Sequence, residues 1–313
     1  METILSVENL GKSFKYKNVV NDVSFDVYKG EIMAVLGPNG AGKSTTIRSI
    51  MNIIYPDYGK ITFKHSQQGE VPRHLIGYLP EERGLYKNVK VLDILLYLAE
   101  LKDYPRKKAR ERALSYLKKY DLEGNENVSV DELSKGMSQK VQFISAIIHE
   151  PKLLILDEPF SGLDPVSQEL FKEEIRNLAE SGTAILLSSH QMNLVEEMCD
   201  RLFMMHRGKR VIYGDLNNVK TTYANFKCTI RGKNDKEDLQ QLPSVERLEQ
   251  QEDMTTIYLE KEINITKWLK NLPDHLSIQE LSIDRISLHE IFIDIATGKD
   301  LIKEAGDVDA SYI

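Results

Sequence analysis

The run Gly37-Pro38-Asn39-Gly40-Ala41-Gly42-Lys43-Ser44 follows the G-x-x-x-x-G-K-[ST] spacing of a phosphate-binding loop. Small residues at this spacing let successive backbone N–H groups point inward at phosphate oxygens, where a Cβ would collide. Lys43 can span the β- and γ-phosphates, the Ser44 hydroxyl can bind Mg²⁺, and Thr45 follows at the start of a helix. A second constellation is Leu153-Leu154-Ile155-Leu156-Asp157-Glu158, an apolar run that ends in two carboxylates. Its pattern puts Asp157 at the C-terminal tip of a buried strand, where it can hold Mg²⁺ through water beside Ser44. Glu158 then faces the γ-phosphate, accepts a hydrogen bond from the attacking water and aligns it for in-line displacement. The chemistry these residues can do together is transfer of a phosphoryl group from a nucleotide to water.

The elements that must carry them are legible around each motif. Glu31 to Leu36 is a short apolar run of buried-strand type, and Thr45 to Met51, free of Gly and Pro, reads as a helix whose N-terminal dipole adds to the phosphate nest. The first thirty or so residues alternate apolar and polar positions (Ile4, Ser6, then Val20 to Val27), which suits an antiparallel sheet with one wet face. Between Glu81 and Glu150 the spacing turns helical: Val91-Leu92, Leu95-Leu96 and Leu98-Ala99 make one stripe, and Arg106 to Tyr120 a second, basic helix. A helix is also expected from Ser138 to His149. From Lys152 strand and helix alternate again (Leu153–Leu156, Gln168–Ala179, Ala184–Leu187), as in a parallel sheet, and this core closes near Leu216. Beyond Thr222, strands at Phe226–Ile230, Thr255–Leu259 and Ile278–Ile283, with helices at Asp235–Gln241, Ile265–Leu272 and Ser287–Ala296, predict a small α+β module.

Composition narrows the function classes. The 313 residues are 41% hydrophobic, enough for proper cores, and the net charge of −7 gives no global attraction to polyanions, so no nucleic-acid partner is expected. No apolar stretch reaches the roughly eighteen residues of a membrane span, and Met1-Glu2-Thr3 begins an ordinary strand, so a cytosolic location is expected. Cys199 and Cys228 lack metal-ligand or disulfide-framework spacing and read as small apolar fillers. His275 and His289 read as structural.

In their combination these motifs resemble the ATP-binding subunits of ABC transporters, over about residues 4–216. Gly37–Ser44 is similar to that family's Walker A and Leu153–Glu158 to its Walker B; Leu133-Ser134-Lys135-Gly136-Met137 resembles the signature motif, Ser161-Gly162-Leu163-Asp164 the D-loop, and His190, after Ser188-Ser189, the switch histidine. The resemblance implies an α/β P-loop NTPase core with an antiparallel β subdomain and a helical insert at about 82–150, together residues 1–220, and a C-terminal α+β accessory domain at 221–313. It implies ATP and Mg²⁺ as cofactors and hydrolysis by Glu158, His190 and Lys43. Phe14, at the family's adenine-stacking position, would face the base, with Tyr16 as the fallback.

Two departures from the family pattern stand out. Glu81, in Pro80-Glu81-Glu82, occupies the place of the usual Gln; it can ligate Mg²⁺ but carries charge and no N–H donor. In the signature, Lys135 replaces a Gly and Met137 the Gln.

By the same resemblance, Ser134, the Gly136 backbone and Asp164 serve a nucleotide held by a second ATPase chain, so that two chains clamp two nucleotides. A membrane permease would dock along Glu81 to Tyr86, with Leu85-Tyr86 as an apolar contact. The stretch Gly77 to Tyr86 and the single nucleotide domain with its C-terminal module favour an exporter subunit, peripheral on the inner face of the membrane. The alternative is a soluble ABC-type ATPase acting on a non-membrane partner. Such proteins carry paired nucleotide domains or long heptads between Walker A and signature, and neither pattern occurs here.

Overall fold

A computed structural model describes residues 1–64, 66, 70–82, 84–223, 225–260 and 263–297, and the chain divides into two units between Asp215 and Leu216. The division falls a few residues ahead of the boundary at 220 expected from the sequence, because the last strand of the first unit ends at Asp215 and a helix, Leu216–Tyr223, starts at once. Residues 298–313 of the expected C-terminal domain, and Arg83 of the expected docking segment, lie outside the described residues.

The first unit is built on two sheets. β1 (Thr3–Phe14), β2 (Lys17–Tyr28) and β4 (Tyr58–Phe63) form an antiparallel sheet in the order β2-β1-β4. Its inward positions, among them Leu5, Val7, Leu10, Val20, Val23 and Val27, are buried as the alternating pattern requires. Between them in sequence come β3 (Ile32–Leu36) and α1 (Lys43–Ile50), the strand and helix that flank the phosphate loop. β3 is buried at every position because parallel neighbours, β7 (Ala184–Ser189) and β8 (Arg201–His206), flank it on both sides, which explains its unbroken apolar run. The second sheet runs β5-β6-β7-β3-β8-β9, with β5 (Ile76–Leu79), β6 (Leu153–Asp157), β7 (Ala184–Ser189), β8 (Arg201–His206) and β9 (Lys209–Asp215). All its pairs are parallel except β8 with β9. The strand order places the ends of β3, β6 and β7 side by side, and these three ends carry the phosphate loop, Asp157-Glu158 and His190.

The helical insert consists of α2 (Val91–Glu100), α3 (Arg106–Lys119) and α4 (Lys135–Ile147). α4 starts a turn earlier than the expected Ser138, because Ser134 caps it, its Oγ accepting from the Met137 N–H at 3.3 Å. After β6, α5 (Pro165–Glu180) opens on Asp164, and α6 (Met192–Met198) follows β7. The insert is fixed to α5 by a dry aromatic cluster and a polar knot. Phe143 stacks on Phe171 at 4.2 Å between centroids, with Tyr120 edge-on to Phe171 at 5.5 Å. The Tyr116 hydroxyl donates to Glu174 Oε1 at 2.9 Å and Lys119 Nζ to its Oε2 at 2.6 Å, so this buried carboxylate is paired on both oxygens.

The second unit comprises α7 (Leu216–Tyr223), β10 (Phe226–Arg231), α8 (Lys236–Gln240), β11 (Val245–Gln251), β12 (Met254–Leu259), α9 (Ile265–Lys270), β13 (Glu280–Arg285) and α10 (Leu288–Thr297). Its antiparallel sheet, β11-β12-β10-β13, packs Cys228, Ile230, Ile257 and Leu259 against Leu239 and Trp268, and the Trp268 indole N–H donates to Pro243 O at 2.9 Å. Both cysteines are buried, as apolar fillers should be. β13 lies two residues later than the expected Ile278–Ile283, because its register is set by pairing with β10 from Arg231↔Glu280 to Phe226↔Arg285. Among the described residues no helix is long and apolar enough to cross a membrane.

Candidate active site

The phosphate loop leaves β3 with its backbone forced into turns that only small residues allow. Gly42 has φ +109°, and a Cβ there would sit 2.6 Å from the Val19 carbonyl of β2. Pro38 to Gly40 and Gly42 to Thr45, with Val19, Glu81, Asp157 and Glu158, line a cleft of about 320 Å³. Gly37 and Ala41 form its frame: the Gly37 carbonyl accepts from Lys43 Nζ at 2.7 Å, and the buried Ala41 accepts from the Gly208 N–H at 3.0 Å. Lys43, on the first turn of α1, is itself buried. Burial holds its ammonium below the ordinary lysine range, while Glu158, Asp157 and Glu81 pull the other way.

The two Walker B carboxylates are presented differently although they are adjacent. Asp157 closes β6 and is buried, its Oδ1 accepting from the Ser188 hydroxyl. Glu158 has φ +52°, a left-handed conformation that turns the chain sharply out of the strand. Its N–H is anchored by Ser188 on β7, reaching the carbonyl at 3.2 Å and Oγ at 3.1 Å. The side chain meets His190, which follows the end of β7, with Nδ1 2.8 Å from Glu158 Oε2. A carboxylate only accepts, so the contact requires the proton on Nδ1. One residue further, the Pro159 carbonyl accepts from Gln139 Nε2 at 3.2 Å, tying the Walker B turn to α4.

Three carboxylates around one ammonium would repel a polyphosphate by themselves, so the donor set calls for a compensating divalent cation. Hydroxyl and carboxylate oxygens suit Mg²⁺, which takes its remaining ligands from phosphate and water. Among the described residues no three His, Cys, Asp or Glu side chains converge on one metal position.

The structure thus brings together Lys43, Ser44, Thr45, Glu81, Asp157, Glu158 and His190 from segments far apart in sequence. Pro38 to Gly40 and Gly42 line the same cleft, whereas Phe14, Ser134, Gly136 and Asp164 are not among its lining residues. Phe14 ends β1 as an exposed ring with Lys12 Nζ 5.5 Å from its centroid, and Tyr16, at the hairpin turn, is fully exposed. Ser134 is exposed and Gly136 has open space where a side chain would be. Asp164 is exposed too, and caps α5 by accepting from the Ser167 N–H at 3.0 Å and hydroxyl at 2.6 Å, which hold its carboxyl below the usual range. Sequence reasoning missed Val19 and the hydroxyl of Ser188. The Ser-Ser pair before His190 was on view, but nothing local shows which strand Ser188 would lie beside.

Comparison with known proteins places this geometry. Residues 20–161 match the ABC transporter family model, and residues 214–296 match the C-terminal domain of DrrA1-3-like ATP-binding proteins. The chain is similar to the uncharacterized ABC transporter ATP-binding protein YhaQ of Bacillus subtilis, with 38% identity over 93% of this chain and 98% of the relative. It is similar to the lipopolysaccharide export system ATP-binding protein LptB of Haemophilus influenzae, with 34% identity over 69% and 92% of the two chains. Among solved structures, an ATP binding subunit of an ABC transporter superposes with a TM-score of 0.67 at 33% identity, covering 71% of this chain and 93% of the other.

Proposed function

The chain belongs to the ABC transporter ATP-binding proteins, and from that premise we propose that it powers export through a separate membrane permease by closing on ATP and Mg²⁺ against a second ATPase chain. The family hydrolyses ATP, and this chain is an ATPase of it. The observation that carries the mechanism is Glu158, turned out of β6 by its left-handed backbone and held by His190 at the mouth of a cleft that contains Lys43.

In this reading Lys43 exchanges its loop carbonyls for the β- and γ-phosphates, and the N–H groups of Gly40 to Thr45 cradle them. Ser44, Asp157 and Glu81 hold Mg²⁺, which when bound offsets phosphate charge. Glu158 accepts a hydrogen bond from the attacking water, and His190 keeps its carboxylate aimed at that water. Ser134 and Gly136 open α4 away from the cleft, so they are free to cover a nucleotide held by another copy. The same holds for Asp164 at the start of α5, and Phe14 would then reach the base from the antiparallel sheet.

Support for a permease comes from a second cleft, of about 520 Å³, lined by Tyr86, Val89, Ile94 and Tyr97 and rimmed by Asp93, Glu100 and Arg106. An apolar floor with a charged rim suits a short amphipathic helix. Export is the direction named for LptB, and the chain would then sit in the cytoplasm, peripheral on the membrane. The C-terminal unit is read as an accessory module that regulates or contacts the dimer. Affinity purification of tagged protein from detergent-solubilised membranes tests the partner: an integral membrane protein should co-purify, and less of it with Tyr86→Ser and Tyr97→Ser. Recovery of soluble partners alone would instead favour the non-membrane alternative.

A further inference from the structure

We infer that Ser188 is a positioning residue that sets both Walker B carboxylates at once, orienting Asp157 for the cation and fixing the backbone turn that presents Glu158. The inference rests on the reading that Asp157 holds Mg²⁺ through water. Ser188 is fully buried on β7, where it is the register partner of Asp157 on β6. A serine hydroxyl has one proton and two lone pairs. Here the proton goes to Asp157 Oδ1, since that carboxylate only accepts, and a lone pair receives the Glu158 N–H at 3.1 Å. One buried oxygen therefore touches both functional residues, and each of its hydrogen bonds fixes a different degree of freedom. The bond to Oδ1 locks the rotation of the Asp157 carboxylate and leaves its second oxygen for Mg²⁺. The bond from Glu158, whose N–H the Ser188 carbonyl also holds at 3.2 Å, supports its positive-φ turn. Outer-shell hydrogen bonds to ligating carboxylates tune metal affinity in this manner, with losses of about 10- to 100-fold when they are removed.

Binding of a fluorescent ATP analogue, measured with Mg²⁺ and again with EDTA, tests this without depending on turnover. The Glu158→Gln protein serves as background to prevent hydrolysis, and Ser188→Ala and Asp157→Asn are each added to it. Ser188→Ala should bind the analogue as tightly as the background protein in EDTA but lose about ten-fold of the gain that Mg²⁺ confers. Asp157→Asn should lose more of the gain than Ser188→Ala does, with Ser44 and Glu81 holding the rest. If Ser188→Ala keeps the full Mg²⁺ gain while Asp157→Asn lacks it, the role of Ser188 is overturned and the metal reading stands. If Asp157→Asn also keeps the gain, both readings fall together. An equal loss for Ser188→Ala in Mg²⁺ and in EDTA would mean that Ser188 only packs the strand, which equally overturns the inference.

Discussion

His190 Nδ1 lies 2.8 Å from Glu158 Oε2, and the pair is lopsided: the imidazole is 61% exposed and the carboxylate 11%. The histidine therefore reaches a largely buried carboxylate from the open side of the cleft and fixes its rotamer. Residues that act as one unit give non-additive losses. Glu158→Gln and His190→Ala should each lower kcat by about 10²- to 10⁴-fold, and the double variant should be no slower than the worse single one. Steady-state phosphate release decides the matter, and losses that multiply would show two independent functions.

Gly42 is where the phosphate loop crosses under β2. Its φ of +109° and the Val19 carbonyl 2.6 Å from the site of a Cβ leave no room for alanine. Gly42→Ala should cost about 1–3 kcal/mol of stability and weaken ATP binding more than ten-fold. Urea denaturation and nucleotide titration check the two effects, and an unchanged titration would remove the loop's tight turn from the binding mechanism.

His149 gives the fold a pH dependence. It is buried at the end of α4, its Nε2 bonded to the Ile76 carbonyl at 3.2 Å, and burial together with Lys102 pushes its pKa down to about 4. Unfolded, it titrates near 6.5, so between about pH 6.5 and pH 4 only the unfolded chain takes up the proton, and stability falls as pH drops through that window. The loss from this group is about 3 kcal/mol at its fullest. His149→Gln, which keeps a donor for Ile76, should flatten the pH profile of urea midpoints relative to the natural protein. Parallel profiles would place the acid sensitivity elsewhere.

Glu174 ties the helical insert to α5 through Tyr116 and Lys119. Glu174→Ala leaves a half-buried hydroxyl and an ammonium without their acceptor, so a loss of about 1–3 kcal/mol is expected. Equal denaturation midpoints would show that the aromatic cluster of Tyr120, Phe143 and Phe171 holds the insert unaided.

The site was legible in the sequence where chemistry demands contiguous residues. Gly37 to Gly42 must be a loop between strand and helix, with Lys43 and Ser44 on the helix's first turn, and Leu153 to Asp157 must be a strand, as their composition indicates. Elements set by long-range pairing were less visible. β11 has only Val245 and Leu248 as apolar positions and is defined by its register with β12; the β8–β9 hairpin was absorbed into a core expected to close near Leu216. The start of α4 moved because a cap, Ser134, outweighed apolar spacing. Ser188 escaped notice for the same reason as the Glu158–His190 pair would have without the resemblance: strand order, not sequence distance, makes them neighbours. Ser134 lies outside the cleft of a single chain, in keeping with the two-chain reading, whereas Phe14, expected over the base of the chain's own nucleotide, ends β1 with its ring exposed.

The most direct test of that reading is the mass in solution of the Glu158→Gln protein, by light scattering, with and without saturating ATP and Mg²⁺. Nucleotide should convert a single-chain species into one of twice its mass, and Ser134→Arg, which places a bulky cation at the face meant to cover the partner's γ-phosphate, should block the change. A protein that binds ATP fully in the cleft yet keeps the mass of one chain contradicts the shared, two-chain site.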